Sequence, residues 1–368
     1  MNLFVCSTAY QLLNAISIAI QDKEPSDLII IRESVMRTCD IDYLKSMRCF
    51  SNIYAWTALL ERVTDEQVHD KKDARIRGMY ILETVLRKKK IWKTLPNLAK
   101  CYTTVYVGYM DLPTRSIYDY FKRRGSCLGL YDEGTYTYSC LEIPDSAVKK
   151  AVYGCLYGGV SVHEAKEIYI RNPERLRVGA HTDIKIRKIE TPIGDQYGAD
   201  ILRVYKVRQD RMHLLNSPVI VFDQNLEANE MRKIQRRIAE TCCSIFETEN
   251  VLVKLHPASR NADYPQDCRI YADRVPFEAV MQAYSMENKV LLSVFSTTCF
   301  APKQTMNQEP YVLFTYKLME SYFHIDPKYL QQIDELRNDY TDKSKVLVPR
   351  SFEELEEMLR AIQAKRGR

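Results

Sequence analysis

At 368 residues the chain exceeds one ordinary hydrophobic core and fits two domains of roughly 100–200 residues each. With 46% hydrophobic and 27% charged residues, its composition excludes intrinsic disorder. A formal charge of +5 falls short of a nucleic-acid binder and suits an anionic small substrate or a loose attraction to an anionic membrane surface.

The chain opens on a strand, Leu3–Cys6, with no basic leader region before it, and Ala9–Ile20 carries apolar residues at helical spacing. Leu28–Ile31, Thr103–Val107 and Leu128–Tyr131 are further apolar strands. Continuous Val/Ile/Leu runs separated by helices predict parallel strands buried on both faces. Residues 140 to about 215 are more polar, with a basic stretch at Lys185–Lys188, and read as the end of a first domain plus a connection. Pro218–Phe222 restarts the pattern. A long amphipathic helix (about 226–246) follows, then strands at Val251–Leu255, Val290–Val294, Tyr311–Phe314 and Val346–Val348, with a helix at Pro276–Tyr284. The C-terminal helix has a capping box, Ser351 to Glu354, and an apolar stripe of Phe352, Leu355, Leu359 and Ile362. The expected fold class is α/β: two Rossmann-like, doubly wound domains, 1–200 and 201–368, facing a central cleft.

No apolar run approaches the roughly 18 residues that span a membrane. Eleven cysteines are scattered without a C-x-x-C pair, which predicts reduced thiols, a cytoplasmic setting and no zinc site.

Three clusters place reactive side chains where a buried strand ends, the crevice side of an open α/β sheet. The first is Asp132-Glu133-Gly134. A carboxylate there can act as general base, glycine permits a tight turn, and adjacent extended side chains point opposite ways, so one of the two faces the crevice. A helix cap or solvated turn is the plain alternative. The second is Lys254-Leu255-His256-Pro257. Proline halts the strand and holds the histidine, which can donate to a phosphate oxygen; an ordinary turn histidine is the alternative. The third is Ser296-Thr297-Thr298, hydroxyls before a helix that suit a phosphate or simply cap the helix.

The order and placement of these motifs resemble those of the bacterial sialyltransferases of the GT-B fold, which share an acidic-acidic-glycine motif, a His-Pro motif and a later Ser/Thr-rich motif. The opening, from Asn2 to Leu12 and including Ser7-Thr8 and Gln11-Leu12, resembles the lipooligosaccharide sialyltransferase family, glycosyltransferase family 52. The likeness covers most of the chain in layout and about 25 residues in motif. It implies inverting transfer of sialic acid from CMP-sialic acid to a hydroxyl of a lipooligosaccharide or capsular glycan. Asp132 would deprotonate the acceptor, with Glu133 the alternative. His256 would stabilise the departing CMP, and Lys254, Pro257, Ser296, Thr297 and Thr298 would form its donor site. Ser7, Thr8 and Gly134 would line the acceptor side. It implies no cofactor beyond the donor and no metal, and its dimeric members set a homodimer as an expectation. Bulky Tyr136 and Tyr138 after the glycine depart from the family pattern.

Other readings stay open: a transferase using CMP-Kdo or a UDP-hexose, or a non-catalytic nucleotide- or glycan-binding protein of polysaccharide assembly. Asp40-Ile41-Asp42 matches the metal-binding D-x-D of GT-A enzymes, on three residues only. The basic run Arg87–Lys93, with Trp92 embedded, is either a solvated helix face or a patch resting on an anionic membrane or glycolipid.

Overall fold

A computed structural model describes every residue except 57–85, 100, 143–153, 155–158, 180–182, 191–194, 227, 257–258, 260–263, 266–267, 274, 323–324, 326 and 367–368. The chain divides into two compact units, Met1–Ile193 and Gly194–Arg368.

The first unit holds seven parallel strands: β1 (Asn2–Cys6), β2 (Ser26–Ile30), β3 (Asn52–Ala55), β4 (Thr104–Val107), β5 (Cys127–Tyr131), β6 (Glu167–Ile170) and β7 (Lys185–Lys188). Their order is β3-β2-β1-β4-β5-β6-β7. The chain builds outward from β1 in one direction, then returns to place β4 on its other side. This makes β1/β4 the topological switch point, where open α/β sheets bind ligands beyond the strand ends. β1, β2 and β4 are buried at every residue, their apolar runs as predicted and with them the polar Asn2, Ser26, Asp27 and Thr104 at the strand starts. Phe4 stacks on Tyr106 at a centroid distance of 4.8 Å, tying β1 to β4. Helix Ala9–Asp22 begins with Thr8 Oγ1 accepting the Gln11 N–H at 3.1 Å and buries Leu12, Leu13 and Ile16 against the sheet. Each such side chain contributes about 1.5–3 kcal/mol on burial.

The stretch from 140 to about 215, read as the end of the first domain plus a connection, also holds two strands. β6 and β7 extend the sheet, pairing parallel with register Ile168↔Ile186. β6 buries Ile168, Tyr169 and Ile170. The basic stretch at Lys185–Lys188 is the edge strand, and its mostly exposed positive side chains discourage pairing with another sheet. The domain division falls after Ile193 instead of at 200. Helix Asp195–Val204 therefore belongs with the second unit, where Gly198 lies so close to Ala283 that a Cβ would meet its Cα at 2.5 Å.

The second unit holds β8 (Val219–Phe222), β9 (Val251–Lys254), β10 (Arg269–Tyr271), β11 (Val290–Ser293), β12 (Tyr311–Phe314) and β13 (Val346–Leu347) in the order β10-β9-β8-β11-β12-β13. All pairs are parallel, and β8/β11 is its switch point. Strand β10 and helix Pro327–Asp339 had no counterpart in the sequence reading; β10 is short and half-buried at two of its three residues. The C-terminal helix, Phe352–Arg366, buries Leu355, Leu359 and Ile362, and Arg237 lies over the Phe352 ring at 3.8 Å. Ser351 Oγ accepts the Glu354 N–H at 3.2 Å, while the Glu354 carboxylate takes the N–H of Arg350, one residue earlier than a strict capping box.

Candidate active site

The polar residues of the first unit gather beyond the ends of β1, β4 and β5. Gly134 has φ 101°, a conformation that favours glycine, and opens the turn after β5. Asp132, at the start of that turn, is fully buried. Its Oδ1 accepts the Gly134 N–H at 2.8 Å, and its Oδ2 accepts the Arg171 N–H at 3.1 Å and the Tyr138 hydroxyl at 3.0 Å. Burial raises its pKa; the two amides, the Arg171 charge and the Tyr138 hydroxyl pull it back. Arg171 is itself buried, donating from Nε to Asn14 Oδ1 at 2.9 Å. Asp132 thus ties β5, β6 and the first helix together, and offers no solvent-facing oxygen to an acceptor.

Glu133 differs. It is half-buried, and its Oε2 accepts from Gln11 Nε2 at 2.8 Å. Burial drives its carboxyl from 4.5 up to about 7; Gln11 and Arg32 lower it, and the negative charges of Asp111 and Asp132 raise it. Gln11 is 1% exposed and joins three loops. Its Oε1 accepts from both the backbone N–H (2.7 Å) and the hydroxyl (2.9 Å) of Ser7. Beside it, Gly108 after β4 leaves no space for a Cβ, which would stand 2.8 Å from Gln11 Cγ. Ser7 is buried with both donors turned to Gln11, which it supports. Thr8 stays half-exposed as the helix cap. Asp111, missed in the sequence, follows β4 and pairs with Arg32 at 3.1 Å.

In the second unit, the residue organising the His-Pro loop is Asp223, which follows β8. Its Oδ2 accepts the His256 N–H at 3.0 Å and the Ser259 hydroxyl; its Oδ1 accepts the Tyr264 hydroxyl at 2.7 Å and the Gln235 amide. Asp223 is 5% exposed. Its signal in the sequence was the one used for the other clusters, a carboxylate at the end of a buried strand. His256 is half-buried beyond β9. Lys254 is level with Phe222 and, through it, with Ser293 across the sheet. It is 7% exposed, and burial lowers its pKa from 10.5 to about 8, partly offset by Glu278. Beyond β11, Ser293 Oγ accepts the Ser296 N–H at 2.8 Å and Ser296 Oγ accepts the Thr298 N–H at 3.2 Å, so Ser296 caps the turn Thr297–Phe300. The His256 and Ser296 loops thus end strands on either side of β8. Pro257 and the Thr297 side chain lie outside the described residues.

Asp40 caps helix Ile41–Ser46, accepting the Tyr43 N–H at 2.9 Å, and Asp42 pairs with Lys45 at 3.2 Å, which accounts for that D-x-D locally. Among the described residues, no group of three or more His, Cys, Asp or Glu is arranged to hold a metal ion. Residues 86–94 are helical. Lys88 pairs with buried Asp119, and Trp92 Nε1 donates to Ser116 O at 2.7 Å, so these two anchor the basic run to helix Leu112–Lys122. No helix among the described residues is long and apolar enough to cross a membrane.

No protein-family model matches the sequence, and no curated protein matches it. Its structure is similar to that of Arabidopsis thaliana UGT89C1 complexed with UDP, at 9% identity over 98% of this chain and 90% of that one, TM-score 0.53. It is also similar to the UDP-L-rhamnose complex of that protein, at 8% identity over 100% and 92%, TM-score 0.50. The calicheamicin glycosyltransferase CalG4 aligns at 13% identity over 99% and 93%, TM-score 0.48. The two parallel-sheet, Rossmann-like units are those of the GT-B glycosyltransferase fold.

Proposed function

We propose that this chain is a glycosyltransferase that moves a sugar from a nucleotide-sugar donor to an acceptor hydroxyl. The observation that carries the reading is Glu133, a half-buried carboxylate beside the β1/β4 switch point, held by Gln11 of the helix after β1 and raised by burial to about 7. A base poised near the working pH is what deprotonation of a hydroxyl needs. Glu133 takes the hydroxyl proton as the acceptor oxygen attacks the anomeric carbon. The bond from that carbon to the donor phosphate breaks, and its electron pair leaves with the phosphate. His256, Lys254 and the Ser296-Thr298 turn receive the charge released on the nucleotide. Attack opposite the leaving group inverts the anomeric carbon. Asp132, the residue first suggested as base, holds the Glu133 turn in place.

The donor we propose is CMP-sialic acid and the acceptor a glycan, on the order of the acidic-glycine, His-Pro and Ser/Thr clusters. A UDP-sugar is the second reading, because the similar Arabidopsis structures hold UDP and UDP-L-rhamnose. Thermal-shift measurements with CMP, CDP, UMP, UDP and GDP decide between them. A nucleotide at 100 times its dissociation constant adds about 2.7 kcal/mol, a shift of several degrees. Stabilisation by CMP or CDP that is lost in His256→Ala supports the first reading, and selective stabilisation by UDP replaces the donor. A protein that responds to no nucleotide and transfers no sugar is not a glycosyltransferase.

A further inference from the structure

Two tyrosines stand at the rim of the Glu133 turn. Tyr109 follows β4, and Tyr136 lies in helix Thr135–Ser139, which follows β5. Their rings meet edge to face, 4.8 Å between centroids and 71° between planes. The two side chains are 39% and 40% exposed, whereas most aromatic residues of this unit's sheet are buried. Edge-to-face packing fixes both rings and leaves ring surface directed to solvent. Glu133, in the turn that leads into the Tyr136 helix, feels the charges of Asp111 and Arg32, and the Arg32 side chain is 51% exposed.

We propose that Tyr109 and Tyr136 form an aromatic corner that binds a pyranose ring of the acceptor, stacking its apolar C–H face while Arg32, held by buried Asp111, and Glu133 take its hydroxyls. The inference rests on the glycosyl-transfer reading and assigns the acceptor class to saccharides. A pyranose has one face of C–H groups and a girdle of hydroxyls. A fixed aromatic surface beside an ion pair and a carboxylate matches both halves of that chemistry. Tyr136, which interrupted the family pattern in the sequence, thereby becomes a specificity residue.

The test is saturation-transfer NMR of the full chain with lactose and with the methyl glycosides of glucose, galactose and N-acetylglucosamine, without donor. At least one saccharide is expected to receive saturation at its ring C–H protons. Its affinity should fall about tenfold in Tyr136→Ala and Tyr109→Ala, and be kept in Tyr136→Phe, which retains the ring. Unchanged nucleotide-induced stabilisation in each variant shows that the fold is intact. Saccharide binding that is absent in the wild type, or unchanged in both alanine variants, overturns the proposal. Because binding is read without turnover, a failed corner is distinguishable from a failed function: sugar transfer with no contribution from the tyrosines removes the corner alone.

Discussion

Replacing Glu133 by glutamine should stabilise the protein at high pH while abolishing turnover. In the folded state burial raises the Glu133 carboxyl from 4.5 to about 7. The folded form therefore holds its proton more tightly than the unfolded chain does. The contribution of Glu133 to stability is present in full below pH 4.5, shrinks as the pH rises and is lost above about 7. At about 1.36 kcal/mol per unit, the ceiling of that loss is about 3 kcal/mol. Solvent reaching a half-buried carboxyl reduces it to about 1–2 kcal/mol. Glutamine never ionises, and its side-chain carbonyl still accepts from Gln11 Nε2, the bond that holds Glu133 now at 2.8 Å. Melting curves of both proteins at pH 4.5 and 8.5 are the assay. The variant should melt about 2–8 °C higher at pH 8.5, with the difference closing at pH 4.5. A gap independent of pH, or a less stable variant at pH 8.5, would refute the reasoning. Turnover of the variant should fall by about a hundredfold or more, the usual share of a general base.

Asp132→Asn should behave in the opposite way: it should cost about 1–3 kcal/mol in denaturant unfolding, because in either orientation its amide NH2 would face a backbone donor, the Gly134 N–H or the Arg171 N–H, while the folded protein keeps most of its activity. Lys254→Met should weaken nucleotide binding about tenfold or more in calorimetry. The same variant should be more stable than the wild type at pH 7, where the buried ammonium is charged, and lose that advantage as the pH rises from about 8 to 10.5. Asp223→Ala removes the acceptor for four donors and should destabilise the second unit by about 3 kcal/mol or more, with limited proteolysis exposing a new cut between residues 256 and 268. Gln11→Leu leaves Glu133 without its hydrogen bond and should move the acidic limb of the pH–rate profile upward, by about one unit.

The amino-acid sequence by itself determined the class of fold. Buried parallel strands need apolar residues on both faces, so β1, β2, β4, β8, β9, β11 and β12 each appear as an unbroken or nearly unbroken apolar run. It also determined that reactive residues end those strands, since a polar side chain directly after such a run has only the sheet's edge to occupy. Three of the four edge strands escaped it: β3 and β7 are largely exposed and β10 is half-buried at two of three residues, so they carry little burial pattern to read, whereas the fourth, β13, shows in Val346–Val348. Only the tertiary structure gives Asp132 and Glu133 their different surroundings. The two are neighbours in the chain, and their hydrogen-bond partners come from far away in it. Arg171, 39 residues on, encloses Asp132, and Gln11, 122 residues back, aligns Glu133. The same holds for Asp223, whose partners Gln235, His256, Ser259 and Tyr264 come from 12 to 41 residues downstream. Periodicity records whether a residue is buried; which oxygen meets which donor is settled only when the strands take their places in the sheet.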